Sequence, residues 1–529
     1  MGNRLYVGNL SFKTTKETVA TAFGAIGEVR DVHIATDRET GQPRGFGFVT
    51  MATDEAAQNA IAQLNGSLLD GRPLRVNEAQ ERPPRGGGGG FGGGGGTTTT
   101  TTSDGGGGTM VQPVCGNGIL EGTEPCDDGN LDNGDACSKT CAITEFDVMV
   151  DPTVGNEWPG IGTSGVDNGK GFFVVWRYRG SEADPNDDQI RGRGVTAAGA
   201  LVGASPVQLS TTPGPGQARI GTNAAGRSIV AWQSYGGGES GVVRYRVVEP
   251  DGTVPGAADS KVTNPGPADA TADNLISVGA SPTGEFALLW TDFDGTSTNA
   301  KVRCFNDSGS LFNTATQTLG LASTTGDYPG IWGSKNGMIA SWATSGGNLG
   351  SVALDSLCVP VGAPFQLATG GSDADPNQNP FGAYVGPNDE FVAVYEHPVD
   401  VGTGLKNRIY RRRFQAPGQS VETGVVVSNT DTYEYNSRVA RFTNGNFVVV
   451  WAANDPATSC DIHARVFKGD GTPKGPETTI NQVNTDCQSW PGVAVNSDGD
   501  AMFVWDNNIF SVPIPYHISA VIVPRMLAD

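Results

Sequence analysis

The sequence predicts a multidomain chain: an α+β sandwich of βαββαβ order, a disordered Gly/Thr linker, a small disulfide-rich module and an all-β seven-bladed propeller. Three observations predict it. Residues 1–80 alternate short strand patterns with amphipathic helical ones. A run of Gly and Thr then breaks all patterning. Beyond residue 145 an apolar burst ending in an aromatic residue recurs seven times, with no helical pattern between copies.

Composition bounds the rest. A chain of 529 residues suggests three or four domains at roughly 150 residues each. With 77 Gly and only 17% charged residues, a coiled coil is excluded and turns and strands are favoured. No run of about 18 apolar residues marks a membrane helix, so no membrane span is expected. The opening residues, Met-Gly-Asn-Arg, show no basic-then-apolar secretory pattern. The net charge of −21 is unevenly placed: residues 1–85 hold ten Lys/Arg and ten Asp/Glu, so the remainder carries the whole excess. An acidic body repels polyanions, which assigns any nucleic-acid contact to the first 85 residues.

The first domain spans residues 1–80. Strand patterns run over Arg4–Asn9, Val29–Ala35, Gly45–Met51 and Leu74–Asn77, and helical ones over Thr15–Ile26 and Asp54–Leu64. Thr14 or Thr15 is placed to cap the first helix and Thr53 the second. Two helices cover one face of a four-stranded sheet and leave the other open. Phe46 and Phe48, two apart on one strand, share a face. Tyr6 joins them, because Leu5 and Val7 point into the helices.

LYVGNL at 5–10 and RGFGFVTM at 44–51 resemble the two signatures of the RNA recognition motif (RRM) family, and the resemblance covers residues 1–80. It implies single-stranded RNA as partner: Tyr6 and Phe48 would stack on bases, Phe46 would lie against sugar, and Arg44 would pair with phosphate, with Asn9 and Arg75 as further contacts. Met51 departs from the aromatic expected at that place and is expected to pack. Rings that complete a core, or a protein-binding variant of the fold, are the competing readings. The RPPRGGGGGF tail, with Arg82 and Arg85 beside Phe91, resembles the tails of bacterial glycine-rich RNA-binding proteins.

Residues 81–112 read as a disordered linker, since poly-Gly and the six Thr at 97–102 bury too little surface to offset backbone ordering. Residues 113–143 form a Cys-rich module with Cys115, Cys126, Cys137 and Cys141. Its CGNG, EPCDDGN and GDACSKTC segments resemble the myxococcal-type cysteine-rich repeat of secreted bacterial proteins. Zinc wants paired CxxC spacing, which is absent, so disulfides are expected, in any of three connectivities. Asp127, Asp128, Asp132 and Asp135 are candidate oxygen ligands for calcium, although Asp is also an ordinary turn former.

Residues 145–529 carry the repeat. FFVVW ends at Trp176, SIVAW at Trp232, FALLW at Trp290, MIASW at Trp342, FVAVY at Tyr395, FVVVW at Trp451 and AMFVW at Trp505, successive copies lying 52 to 58 residues apart. Units of this length without helices mean four strands each, arranged radially. The last copy lacks a fourth strand, and Phe146–Val150 is expected to supply it and close the ring. A non-closing solenoid is the alternative. Cys460 begins a third strand and Cys487 follows a fourth, which predicts a disulfide inside blade six. Cys304 and Cys358 have no partner in this reading. The repeated Trp and Tyr read as blade core.

No nucleophile elbow, metal-binding helix or phosphate loop appears, so no enzyme activity and no cofactor is expected. The expected function is single-stranded RNA binding, with the propeller as a scaffold for a protein or carbohydrate partner. The modules disagree about compartment: the first belongs in the cytoplasm, whereas Cys-rich and acidic propeller modules are extracellular features. The competing function is therefore an extracellular ligand-binding or adhesion propeller joined to the first domain by fusion or assembly error.

Overall fold

The structure is a computed structural model. It describes residues 4–8, 14–24, 26–36, 43–53 and parts of 56–78, then 144–524 apart from 149–155, 165–168, 180–186, 236–240, 263–275, 509–516 and shorter gaps. The linker and the Cys-rich module, with Cys115, Cys126, Cys137, Cys141 and the four aspartates, lie outside the described residues. The chain divides into two compact units, Met1–Gly106 and Gly107–Asp529.

The first unit follows the expected order: β1 (Arg4–Gly8), α1 (Lys16–Gly24), β2 (Val29–Thr36) and β3 (Pro43–Met51). Ala56, Ala57, Ala60 and Leu64 are helical, and Thr53 Oγ1 accepts from Ala56 N at 3.1 Å, as a cap should. Thr15 caps α1, its Oγ1 accepting from Thr18 N at 3.3 Å. A short hairpin, β4 (Leu68–Leu69) with β5 (Arg72–Pro73), precedes β6 (Arg75–Glu78). The sheet runs β2-β3-β1-β6 and is antiparallel throughout. One core holds it together: Leu5, Val7 and Val49 pack with Val19 and Phe23 of α1 and with Ala57 and Ala60. Met51 is fully buried in that core.

The second unit is the seven-bladed propeller. Each sheet has four strands, except that blade five has a fifth. The inner strands are Asn156–Thr163, Arg219–Thr222, Ile276–Ala280, Gly330–Ser334, Gln378–Tyr384, Tyr433–Arg441 and Cys487–Val495. Each neighbours the next, and the seventh neighbours the first, so the ring closes. Glycine allows this convergence: a Cβ at Gly330 would stand 1.7 Å from the Pro380 carbonyl oxygen, and one at Gly279 would stand 2.9 Å from that of Ile331.

The apolar bursts are the second strands, and their continuous apolar character has a physical cause. A blade is covered on both faces by its neighbours. Phe172, Val174 and Trp176 pack with Met502 and Val504 of blade seven, while the alternating Phe173 and Val175 pack with Val230 and Trp232 of blade two. All seven repeat aromatics are buried.

Closure takes the expected form on a shorter strand. Phe146–Asp147 pairs with the last strand, His517–Val523, in the register Ala520↔Phe146 and Ser519↔Asp147. His517 Nδ1 lies 2.7 Å from Asp147 Oδ2 across that seam.

The disulfides correct two expectations. Cys460 and Cys487 are bonded, but Cys487 opens the inner strand of blade seven, so the bond crosses from blade six rather than lying within it. Cys304 and Cys358 are bonded as well, with Cα atoms 5.6 Å apart, joining the third strand of blade three to a turn of blade four. Both bonds therefore span blade boundaries.

Candidate nucleic-acid interface

Period-two alternation divides the residues of the first sheet. Leu5 and Val7 on β1, Val32 on β2, and Gly47, Val49 and Met51 on β3 are buried towards the helices. The intervening positions belong to the other face. The register aligns them: Tyr6 pairs with Phe48, Phe48 with His33 on β2, and Tyr6 with Asn77 on β6. One row, His33–Phe48–Tyr6–Asn77, thus crosses all four strands. Directly opposed residues in an antiparallel ladder have Cα atoms about 4.5–5.5 Å apart. Phe48 is half-buried and His33 is exposed.

The structure thus brings Tyr6 and Phe48 together. Arg75 occupies the same face as Asn77 and pairs with Gly8 at the far end of β1. Arg44 and Phe46 lie on β3, but the β2–β3 register shifts between Ile34 and Thr36. They therefore sit at an irregular end of the strand and not in the regular ladder. Asn9 lies outside the described residues. Gly47 makes room for the neighbouring strand: a Cβ there would come within 2.7 Å of the His33 carbonyl oxygen. The outward placing of His33 was findable in the sequence, since Val32 and Ile34 are apolar and alternation turns the residue between them outward.

A sheet face with aromatic positions opposed across its two central strands can take splayed bases by stacking. Positive charge nearby comes from the positions of Arg4, Arg44 and Arg75, against Asp31, whose Oδ1 lies 3.4 Å from Lys16 Nζ.

The propeller offers a different feature. Its inner strands enclose an axial cavity of about 300 Å³, walled in part by Trp332 and Phe381 and by two arginines, Arg219 and Arg438. The Arg438 guanidinium stacks 3.8 Å from the Phe381 ring centre. Among the described residues no group of three or more His, Cys, Asp or Glu is placed to hold a metal, and no helix is long and apolar enough to cross a membrane.

Comparison with known proteins places this geometry. The family model for the RNA recognition motif matches residues 5–75, and a domain of unknown function matches residues 109–142. Glycine-rich RNA-binding protein 1 of Mycosarcoma maydis is 53% identical over 83 residues, covering 16% of this chain and 47% of its own. The putative RNA-binding protein RbpA of Nostoc is 51% identical over 81 residues, 15% of this chain and 79% of that protein. The chain spans about half the length, 47% and 49%, of the first two curated relatives it matches. Among solved structures, the RNA-binding protein PG1 is 41% identical and is covered in full, across 16% of this chain, with a TM-score of 0.15. The Sex-lethal protein–RNA complex is 39% identical over 15% of this chain and 47% of its own, with a TM-score of 0.14. Through its N-terminal domain, the chain belongs to the RNA recognition motif family.

Proposed function

We propose that this chain binds single-stranded RNA by stacking bases on the open face of its N-terminal sheet, and that the propeller serves as an interaction scaffold for a protein or carbohydrate partner. The observation that carries the reading is the direct pairing of Tyr6 with Phe48, on the face opposite the helix-covered core. Similarity to proteins named for RNA binding supports it. Arg44 and Arg75 add phosphate contacts, and the acidic remainder of the chain contributes none. The role is binding, without catalysis, in the cytoplasm.

Phe48→Ala in the full chain tests it. A stacked base is worth ~1–3 kcal/mol, so affinity for a random-sequence single-stranded RNA octamer should fall roughly 5- to 150-fold by fluorescence anisotropy. Unchanged affinity would sink the proposal.

A second reading is favoured by one observation, the two disulfides that cross blade boundaries. Such bonds persist in oxidising surroundings. On that reading the propeller acts outside the cell and the N-terminal domain is a separate product. Mass spectrometry of trypsin-digested native cells decides between them through the peptide Gly86–Lys139. Its recovery from the cytosol supports the RNA-binding fusion. Propeller peptides found only outside the cell, with no junction peptide anywhere, support the second reading.

A further inference from the structure

We propose that His33 is a third stacking platform of the RNA-binding face, holding the nucleotide next to the one on Phe48 and so helping to determine which sequences bind; this rests on the RNA-binding reading above. The placement comes from the register. His33 is directly opposite Phe48 on the adjacent strand, in the row that also contains Tyr6. Val32 beside it is buried and pairs with buried Val49, which fixes the alternation and turns position 33 to the open face. The side chain is exposed. Three consecutive strands thus place Tyr6, Phe48 and His33 at aligned register positions, β1 to β3 to β2, at the sheet's inter-strand spacing of about 4.8 Å.

Imidazole suits that place in two ways. It is a flat ring on which a base can lie, as bases do on His as well as on larger aromatics. Its two nitrogens also give a donor and an acceptor, or two donors, that a phenyl ring lacks. The site then spans at least three nucleotides, running from β1 towards the β2 edge of the sheet. On the same strand Asp31 is next but one to His33, and the Lys16 ammonium lies 3.4 Å from its carboxylate in an exposed pair.

The experiment uses the full chain with His33→Ala, His33→Phe and Phe48→Ala, titrated by fluorescence anisotropy into labelled random-sequence single-stranded RNA pools of two, three, four and eight nucleotides. The expected result is that His33→Ala loses affinity for the octamer pool about five- to hundredfold, while His33→Phe stays within about threefold of the parent. The parent should also gain affinity from two to three nucleotides, a gain that His33→Ala lacks. A purely structural role for His33 would weaken all lengths alike and leave the length dependence intact, which overturns the inference. Equal losses in His33→Ala and His33→Phe overturn it too, since the flat ring would then not be the carrier. If His33→Ala binds like the parent while Phe48→Ala is weakened, the RNA-binding reading stands and the inference fails. If Phe48→Ala is also unchanged, both fail.

Discussion

Cys358 occupies a place that its repeat neighbours give to glycine. In blade three the turn after the third strand puts Gly309 at φ 77°, with Gly309 N donating to Asn306 O. The corresponding turn of blade four puts Cys358 at φ 64°, with Cys358 N donating to Asp355 O. A side chain in the left-handed region costs roughly 1–2 kcal/mol. The bond to Cys304 holds the residue there, and both cysteines are buried. Two variants without the disulfide should therefore differ. Cys304→Ala with Cys358→Gly should be about 1 kcal/mol more stable than Cys304→Ala with Cys358→Ala in urea unfolding, and equal midpoints would remove the strain argument. The partnership was hidden from sequence reading because a cysteine in a blade was matched within its own blade. The separation of 54 residues is one repeat, and that was the signal available. The pairing of His33 was hidden differently: its alternation was plain, but only the register reveals that it stands opposite Phe48.

At the scale of elements, one of the shortest strands closes the ring. Phe146–Asp147 has two residues, yet it completes blade seven. Phe146 packs against Ile518 and Ala520 in the core shared by blades one and seven. The Asp147–His517 pair is partly exposed and is worth at most about 1 kcal/mol. Burial, more than charge, should therefore hold the seam. Phe146→Ala is expected to cost about 3 kcal/mol, and Asp147→Asn about 1 kcal/mol or less. Tryptophan fluorescence reads this unit alone, since all nine Trp lie beyond residue 157. Equal effects of the two variants would show that the Asp147–His517 contact matters as much as burial. The second strands were legible because a strand covered on both faces has no polar positions to interrupt its apolar run. The inner strands were not. Register shifts in blades one, five, six and seven bend them, and Asn379, Asn436 and Trp490 adopt positive φ near those shifts. In blade five this is tied to its neighbour by Glu396, which is buried and accepts from Asn379 Nδ2 at 2.6 Å and from Asn436 N at 2.7 Å. Such bends follow from how seven strands crowd an axis, which local patterning does not encode.

For the whole molecule, the two compact units differ in how their contacts are spread along the chain. The RRM domain completes itself within its first 78 residues, and its two signatures stand on adjacent central strands, which is why its fold and the pairing of Tyr6 with Phe48 were both readable. The propeller is completed only by its last strand, because His517 must reach Asp147 across 370 residues of sequence. Synthesis imposes an order on this arrangement. At about 5–20 residues per second, the strand Phe146–Asp147 emerges about 20 to 75 s before its partner exists. During that interval the RRM domain is already complete on a growing chain, while the blades behind it form an open arc whose leading edge has no mate. The N-terminal domain can therefore fold well before the ring can shut, and any partner that recognises the closed ring must wait until the strand His517–Val523 has been made.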